Sequence, residues 1–321
     1  MTAALLGAPL SALAQTAQHV SRIAYLSAFS QTGADAFLND LREELRKLGW
    51  IDGKNALLLE PRAADNRHDR LPTLAIEVVG LKPDVIAVRG APATRILKER
   101  TSVIPIVMVG VGDPVTFGLI DSLARPGRNV TGTAALEGEV ETKVLDLLHE
   151  AAPRASSVAV FVNPNNEGAA PYARTAREAG SKRGLRVQVL EVRSTGDFDS
   201  AFAAIAGERT ESILVATEGL IQSQRKRIAE FALRHGLPCV VHVTGGLPPD
   251  SGELLTYGPV GSEYPRLTAS YIDRILKGAK PADLPVEQLA KFNLIINLKT
   301  ATALGLTIPQ SLVLRAHEVI R

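Results

Sequence analysis

The chain has 321 residues, of which 45% are apolar and 22% are charged, a mixture typical of a folded protein large enough for two lobes. Its 36 basic and 34 acidic residues leave a net charge of only +2. This charge is too balanced for a protein whose affinity depends on neutralising phosphates, so nucleic-acid binding is not expected.

The N-terminal segment resembles a secretory signal. Residues 1–14 carry no charged side chain and end in Ala12-Leu13-Ala14, like an apolar region followed by a small-residue cleavage site, although the usual positive start is missing. The alternative is an apolar tail without a targeting role. If the segment is a signal, the exported chain begins near Gln15. No later apolar stretch reaches the ~18 residues needed to cross a bilayer, so the chain is not expected to be membrane-embedded.

From Arg22 onward, short β-branched runs alternate with amphipathic helical patterns. Strands are predicted at residues 23–26, 56–60, 85–88 and 104–109, and helices at residues 35–48, 70–81 and 93–100. Repeated alternation of this kind favours an α/β fold with a parallel, doubly wound sheet.

The same alternation restarts after Thr131-Gly132, which indicates a second lobe of similar construction. Helices are predicted at residues 140–150, 171–183, 198–206 and 221–235, and strands at residues 157–162, 186–192, 212–216 and 238–243. A long helix at 262–277, a strand at 292–296 and a short helix around Thr300 follow. These last pieces are too small for a third domain, so we expect them to return to the two lobes and to form a hinge.

The sequence contains no recognisable motif of a catalytic centre. The chain has no phosphate-binding loop, no nucleophile elbow and no zinc-binding helix, and its six histidines are scattered without metal-ligand spacing. We therefore predict no catalytic residue, no metal site and no cofactor. An enzyme whose groups meet only in the folded chain remains an alternative.

Candidate binding residues lie in the loops that follow the predicted strands, where open parallel sheets bind their ligands. Helix N-termini in such loops present free N–H groups, which favour an anion such as a carboxylate. The alternative for each loop is ordinary turn chemistry. The candidate ligand-binding residues are Ser27, Phe29, Gly90, Ala91, Gly112, Asp113, Asn163, Asn165, Tyr172, Thr217, Glu218, His242 and Thr244.

Some candidates suggest particular roles. Phe29 and Tyr172 either stack on a planar ligand from opposite lobes or pack as half-exposed aromatics. Glu218 is a possible acceptor for an ammonium group, as an amino-acid site needs. Arg89 either pairs with a carboxylate or bridges the lobes, and Asp113 is more typical of a helix cap.

Five stretches carry a resemblance to a known family. They are residues 45–50, 104–108 with 112–114, 122–132, 275–288 and 297–309. Over about residues 22–320 the chain resembles the ABC-transporter substrate-binding proteins of the tryptophan/tyrosine type. The resemblance implies a type I periplasmic-binding-protein fold with two Rossmann-like lobes joined by three hinge crossovers, near Thr131, Tyr257 and Pro285. Lobe 1 is then expected at 20–131 plus 258–285, and lobe 2 at 132–257 plus 286–321.

The resemblance also implies a function. The chain is expected to be a monomeric periplasmic solute-binding component that delivers a small molecule to an ABC permease and its ATPase. Its ligand would carry a carboxylate, as an aromatic amino acid or an aromatic or aliphatic organic acid does. Two departures leave the family's aromatic ligand open: Ala63 stands where many relatives have an aromatic residue, and the segment 241–253 differs and is about two residues longer. A ligand-sensing module for a signalling partner is a further alternative.

Overall fold

The computed structural model of the chain contains two separate seven-stranded β-sheets. The structure describes residues 19–135, 137–166, 168–242, 252–289 and 291–321. The predicted signal segment at residues 1–14 lies outside the described residues, so its role stays a prediction.

Fourteen strands build the two sheets. They are β1 (Ser21–Ser27), β2 (Ala56–Leu58), β3 (Arg62–Ala63), β4 (Val85–Arg89), β5 (Ile106–Val111), β6 (Val130–Ala134), β7 (Ser157–Val162), β8 (Arg186–Glu191), β9 (Ile213–Val215), β10 (Cys239–His242), β11 (Leu255–Pro259), β12 (Glu287–Gln288), β13 (Phe292–Asn297) and β14 (Glu318–Ile320).

Eleven α-helices connect the described strands. They are α1 (Gln31–Lys47), α2 (Leu71–Gly80), α3 (Ala91–Arg100), α4 (Glu137–Ala151), α5 (Ala169–Ser181), α6 (Phe198–Gly207), α7 (Gly219–Ser223), α8 (Arg225–Arg234), α9 (Glu263–Leu276), α10 (Leu298–Ala303) and α11 (Gln310–Arg315).

The first sheet is parallel throughout and has the strand order β12-β6-β5-β4-β1-β2, with β3 paired to β1. Helices α1 and α9 cover one face, and α2 and α3 cover the other. Strand β4 is apolar and almost wholly buried from Val85 to Val88, as expected for a strand that is covered on both sides. We call this sheet with its four helices the first lobe.

The second sheet has the order β14-β13-β11-β10-β9-β7-β8. Helices α4 and α5 pack on one face, and α6 and α8 pack on the other. Its strands are parallel except for β11 and β13, which pair antiparallel in the register Leu255 to Ile296. The sheet therefore departs at one pair from the fully parallel arrangement that the sequence predicts. This sheet, with α4–α8, α10 and α11, is the second lobe.

The chain passes between the lobes three times. It leaves the first sheet after β6, returns from β11 into α9, and passes from β12 to β13. Each passage lies a few residues after the boundary expected at 131/132, 257/258 or 285/286. The difference arises because β6, β11 and β12 run on past those positions: Thr133 and Glu287 are paired in the first sheet, and Pro259 is paired in the second.

The crossing segments are tied to one another. The Thr131 hydroxyl donates to the Leu284 carbonyl over 2.7 Å in a buried position. The Val260 N–H donates to the Lys291 carbonyl over 3.1 Å. These bonds join segments that are distant in sequence, as is needed for a hinge made of several strands.

Candidate functional site

The site lies where the strand order of each sheet reverses, at β1 in the first sheet and at β7 in the second. In the first sheet β2 and β4 lie on opposite sides of β1, and in the second sheet β8 and β9 lie on opposite sides of β7. Loops that follow strands on either side of such a point diverge and leave a crevice at the carboxyl edge. The two crevices face each other across the lobe interface and form one cavity.

The cavity has a volume of about 790 Å³, including its solvent-open mouth. Both lobes contribute to its lining, which comprises Ala28, Phe29, His68, Gly90, Ala91, Pro92, Gly110, Val111, Gly112, Phe117, Phe161, Val162, Asn163, Asn166, Gly168, Ala169, Tyr172, Ala216, Thr217, Glu218 and Ile221. Its walls are mainly aromatic, small and uncharged side chains, as is typical of a small-molecule site.

Eight of the sequence-predicted residues meet at this cavity. They are Phe29, Gly90, Ala91, Gly112, Asn163, Tyr172, Thr217 and Glu218. The aromatic pair comes from opposite lobes, with Phe29 after β1 and Tyr172 on α5. Whether these side chains contact a ligand stays a prediction.

Phe29 is held firmly in the first-lobe wall. The predicted residue Ser27 is buried and accepts the Phe29 N–H on its hydroxyl over 3.1 Å, so it supports the wall from behind. The Arg89 guanidinium lies 5.2 Å from the centre of the Phe29 ring, in a cation–π contact. Arg89 therefore supports an aromatic wall and is not among the residues that line the cavity.

Gly90, the residue before α3, has a backbone conformation that residues with a side chain rarely adopt. Gly90 precedes the helix with φ of +101°, and a side-chain carbon there would lie 2.8 Å from the Ala28 methyl group. Glycine at this position lets the helix N-terminus approach the cavity closely.

The second-lobe wall carries the one carboxylate among the described lining residues, that of Glu218. One of its oxygens accepts from Asn163 Nδ2 over 3.1 Å, and the other accepts from the Ile221 N–H over 3.1 Å, which caps α7. The side-chain oxygen of Asn163, Oδ1, in turn accepts the Asn165 N–H over 3.1 Å. Because a carboxylate can accept about four hydrogen bonds, Glu218 retains capacity for a ligand donor.

Two helices of opposite lobes begin at the cavity. Ala91 starts α3 and Ala169 starts α5, and both residues line the cavity. The first-turn N–H groups of a helix lack acceptors within the helix and carry partial positive charge. Pro92 and Pro171 have no N–H, and the Ala169 N–H donates to the Asn166 carbonyl over 2.9 Å. The first-turn N–H groups that remain for an anion are therefore those of Ala91 and Ala93 in α3 and Ala170 in α5. No lysine or arginine is present among the described lining residues.

Two predicted residues lie outside the cavity and near the surface. Asp113 is exposed and accepts from the Thr116 N–H over 3.0 Å and from the Thr116 hydroxyl over 2.6 Å. Partial burial raises the pKa of Asp113, but the bonds from Thr116 outweigh it and hold the pKa below its usual value. Asp113 is thus a turn cap that borders an adjoining groove. Asn165 is exposed, and only its neighbours Asn163 and Asn166 belong to the lining.

His242 is buried in the second lobe, at the end of β10, and does not line the cavity. Its Nδ1 lies 4.0 Å from Glu141 Oε1, beyond hydrogen-bond distance. Burial lowers the pKa of His242 to about 4, so the ring is neutral at neutral pH. Thr244 and most of the divergent segment 241–253 lie outside the described residues.

Sequence reasoning missed several lining residues. Phe117 stands beyond the Gly112 loop, and Asn166 and Gly168 belong to a loop of which only the beginning was selected. Those three could have been found by extending each selected loop to the next helix. His68 gives no such signal, because it begins a one-turn 3₁₀ helix, His68–Arg70, between β3 and α2 and does not directly follow a predicted strand.

The described residues contain no group of three or more His, Cys, Asp or Glu side chains that could hold a metal ion. Among the same residues, no helix combines the length and apolar character needed to cross a membrane.

Residues 22–320 match the family described as ABC transporter substrate binding protein. The chain belongs to this family. The two α/β sheets and the cavity between them agree with the type I periplasmic-binding-protein fold expected from the sequence, which is confirmed. Members of the family bind substrates for ABC transporters rather than catalyse reactions, and they act outside the cytoplasm.

Similar proteins support this membership. The chain is 26% identical over 265 residues to a tyrosine-binding protein of Clostridioides difficile, covering 82% of this chain and 74% of that protein. A conserved domain protein from Vibrio cholerae has a crystal structure similar to this one with a TM-score of 0.85, at 26% identity, covering 94% and 99% of the two chains. A domain from Streptococcus pneumonia, crystallised in complex with L-Trp, shares the fold with a TM-score of 0.84 at 22% identity, covering 94% and 100%.

Proposed function

We propose that this substrate-binding protein captures an aromatic amino acid in the cavity between its lobes and delivers it to an ABC permease and ATPase. The observation that carries the proposal is the composition of the cavity: aromatic walls from both lobes, one carboxylate, and two helix N-termini. The name of the tyrosine-binding relative and the L-Trp complex of a structural neighbour point to the same class of ligand.

The aromatic side chains account for the side chain of such a ligand. Phe29 and Phe117 belong to the first lobe and Tyr172 to the second, so a flat ring between them would contact both lobes. Aromatic pairs contribute about 0.5–1.5 kcal/mol beyond the area that they bury. A ligand that contacts both lobes favours the closed arrangement, because it gains contacts there that it lacks in an open one.

The polar groups account for the two charged ends of an amino acid. The Ala91 and Ala93 N–H groups at the start of α3, with the Ala170 N–H of α5, suit the α-carboxylate. Glu218 suits the α-ammonium group, since it still has acceptor capacity beside Asn163 and Ile221. The proposed ligand is therefore a zwitterion with a planar side chain.

An aromatic carboxylic acid without the amino group is the second candidate. It is favoured by the fact that both oxygens of Glu218 already accept a hydrogen bond within the protein. In that case Glu218 only caps α7 and orients Asn163, and an ammonium group adds nothing to affinity.

The proposed setting is the periplasm, reached by cleavage of the segment before Gln15, and the proposed form is a monomer that performs no catalysis. The signal is supported by the uncharged, alanine-rich residues 1–14.

Thermal unfolding with added ligand tests the proposed function. L-Tryptophan, L-tyrosine and their des-amino acids, indole-3-propionate and 3-(4-hydroxyphenyl)propionate, would be added in series to the purified chain. A true ligand at a hundredfold excess over its Kd stabilises the folded state by about 2.7 kcal/mol. A rise in Tm with the amino acids and a smaller rise with the des-amino acids supports the proposal. No rise with any of the four contradicts it.

A further inference from the structure

Gly219, the first residue of α7, is where the second lobe meets the first at the edge of the cavity. A side-chain carbon added there would lie 1.9 Å from Asn66 Oδ1 and 2.6 Å from Phe29 Cδ1, both in the first lobe. Real side-chain carbons do not approach other atoms so closely. The two first-lobe side chains therefore occupy the space that any other residue at position 219 would fill.

The backbone of Gly219 gives no reason for a glycine. Its φ does not lie in the left-handed region, unlike that of Gly90. It begins a helix, where alanine is favoured over glycine by up to about 1 kcal/mol. The three atoms nearest to an added side-chain carbon all belong to Asn66 and Phe29, so the tightest steric demand for glycine comes from the opposite lobe.

The backbone segments that carry the two opposing side chains are bonded to each other within the first lobe. The Asn66 N–H donates to the Ala28 carbonyl over 3.0 Å, and the Asp65 N–H donates to the Phe29 carbonyl over 3.0 Å. The Phe29 ring has the Arg89 guanidinium beside it and the Gly90 backbone behind it. Neither Phe29 nor the Asn66 backbone can retreat without breaking these contacts.

We propose that Gly219 sets how far the lobes close, by receiving Asn66 and Phe29 when the cavity is formed. Gly219 does not line the cavity, so it is a positioning residue that acts through closure. Phe29 touches both Gly219 and the cavity, and full closure therefore presses the ring towards the ligand. This inference rests on the proposed function, because closure is useful only if a ligand is captured.

The test compares Gly219→Ala with Gly207→Ala. Gly207 is the last residue of α6, whereas Gly219 is the first of α7, but it likewise stands at a helix terminus, has a φ outside the left-handed region and has nothing within 4 Å of an added side-chain carbon. Closure is read by single-molecule energy transfer between dyes on cysteines at Glu99→Cys and Lys182→Cys, which are exposed on α3 and beyond α5. The native Cys239 is buried and so does not take the label. Affinity for L-tryptophan is read by calorimetry and its dissociation by stopped flow.

The expected result for Gly219→Ala is a smaller closed population, a Kd for L-tryptophan at least about tenfold higher and faster dissociation, with an unchanged or raised Tm without ligand. Gly207→Ala should change none of the three binding readouts. Adding Asn66→Gly to Gly219→Ala removes the shortest overlap and should restore part of the closed population, since φ of 61° at Asn66 suits glycine.

Wild-type closure and affinity in Gly219→Ala would overturn the inference. So would a large drop in its ligand-free Tm, because glycine would then be required by packing within the second lobe. The energy-transfer measurement also separates the two proposals. If the wild type binds neither L-tryptophan nor L-tyrosine while Gly219→Ala still loses the closed population, the proposed ligand is wrong and the role of Gly219 stands.

Discussion

Replacement of Glu218 by glutamine distinguishes an amino-acid ligand from a simple acid. The carboxylate accepts one bond from Asn163 Nδ2 and one from the Ile221 N–H, each over 3.1 Å. A glutamine keeps one of these acceptors and turns an NH₂ group towards the other donor. Glu218→Gln thus removes the negative charge at the cavity and weakens the cap of α7 in a single step.

The two consequences have different sizes. A hydrogen bond to a charged group contributes about 1.5–3 kcal/mol, which corresponds to an affinity loss of about 10- to 100-fold for a ligand with an ammonium group. Weakening the cap costs about 0.5–2 kcal/mol of stability and applies whether or not a ligand is bound. Affinity for a des-amino acid should change little, because that ligand offers no cation to Glu218.

Calorimetric titration with L-tryptophan and with indole-3-propionate measures both effects on one protein. The matched control is Glu211→Gln, since the Glu211 carboxylate likewise accepts a backbone N–H, that of Ser156 over 2.6 Å, but lies outside the cavity. The control should lower stability and leave both affinities unchanged. Equal affinity of Glu218→Gln and wild type for L-tryptophan would refute the reasoning and remove Glu218 from the site.

Three further predictions concern the wall of the cavity and two buried groups. Phe29→Leu keeps an apolar side chain but loses the aromatic ring and its contact with Arg89. The Kd for L-tryptophan, measured by calorimetry, should therefore rise by about 3- to 10-fold. An unchanged Kd would exclude ring stacking at this wall. Burial lowers the pKa of His242 from 6.5 to about 4, so between pH 6.5 and pH 4 the unfolded chain takes up a proton on this side chain and the folded chain does not. The free energy of unfolding, measured in urea, should therefore fall by up to about 1.4 kcal/mol per pH unit as the pH drops through that range. His242→Leu should lose this part of the pH dependence, whereas the control His149→Leu, at an exposed position, should keep it. Arg225 Nε lies 2.5 Å from Glu253 Oε1, and the Glu253 side chain is fully buried. Arg225→Leu leaves that carboxyl group without its partner and should lower the free energy of unfolding in urea by about 3–5 kcal/mol, most of which the double variant Arg225→Leu, Glu253→Leu should recover. Additive losses of stability in the double variant would contradict the pairing.

Most of the fold could be predicted because its strands are apolar runs bounded by turns. The run from Ser157 to Val162 coincides with β7, since its residues are buried on both faces. Strand β6 was not predicted, because Gly132 interrupts its β-branched run. Its extended structure is evident only from its pairing with β5 and β12. The predicted helix 221–235 is divided at Gln224 into α7 and α8, a break that the apolar periodicity does not record.

The rule that ligands bind in the loops after strands selected Phe29 and Asn163, which line the cavity beside a reversal of strand order; their contact with a ligand stays a prediction. The same rule selected His242, yet its side chain faces the buried interior. Side chains alternate between faces along a strand, so position after a strand does not decide which residue faces a cavity. The contact of Gly219 with Asn66 depends on how two lobes meet, and no local pattern encodes it.

A crystal structure of the chain grown with L-tryptophan is the most direct test of capture between the lobes. We expect the indole ring between Phe29 and Tyr172, the ammonium group within about 3 Å of a Glu218 oxygen, and the carboxylate at the first-turn N–H groups of α3 or at the Ala170 N–H of α5. Lobes in contact at Gly219 should accompany the ligand. Clear density for L-tryptophan elsewhere, or a cavity that stays free of it at saturating concentration, would contradict the account.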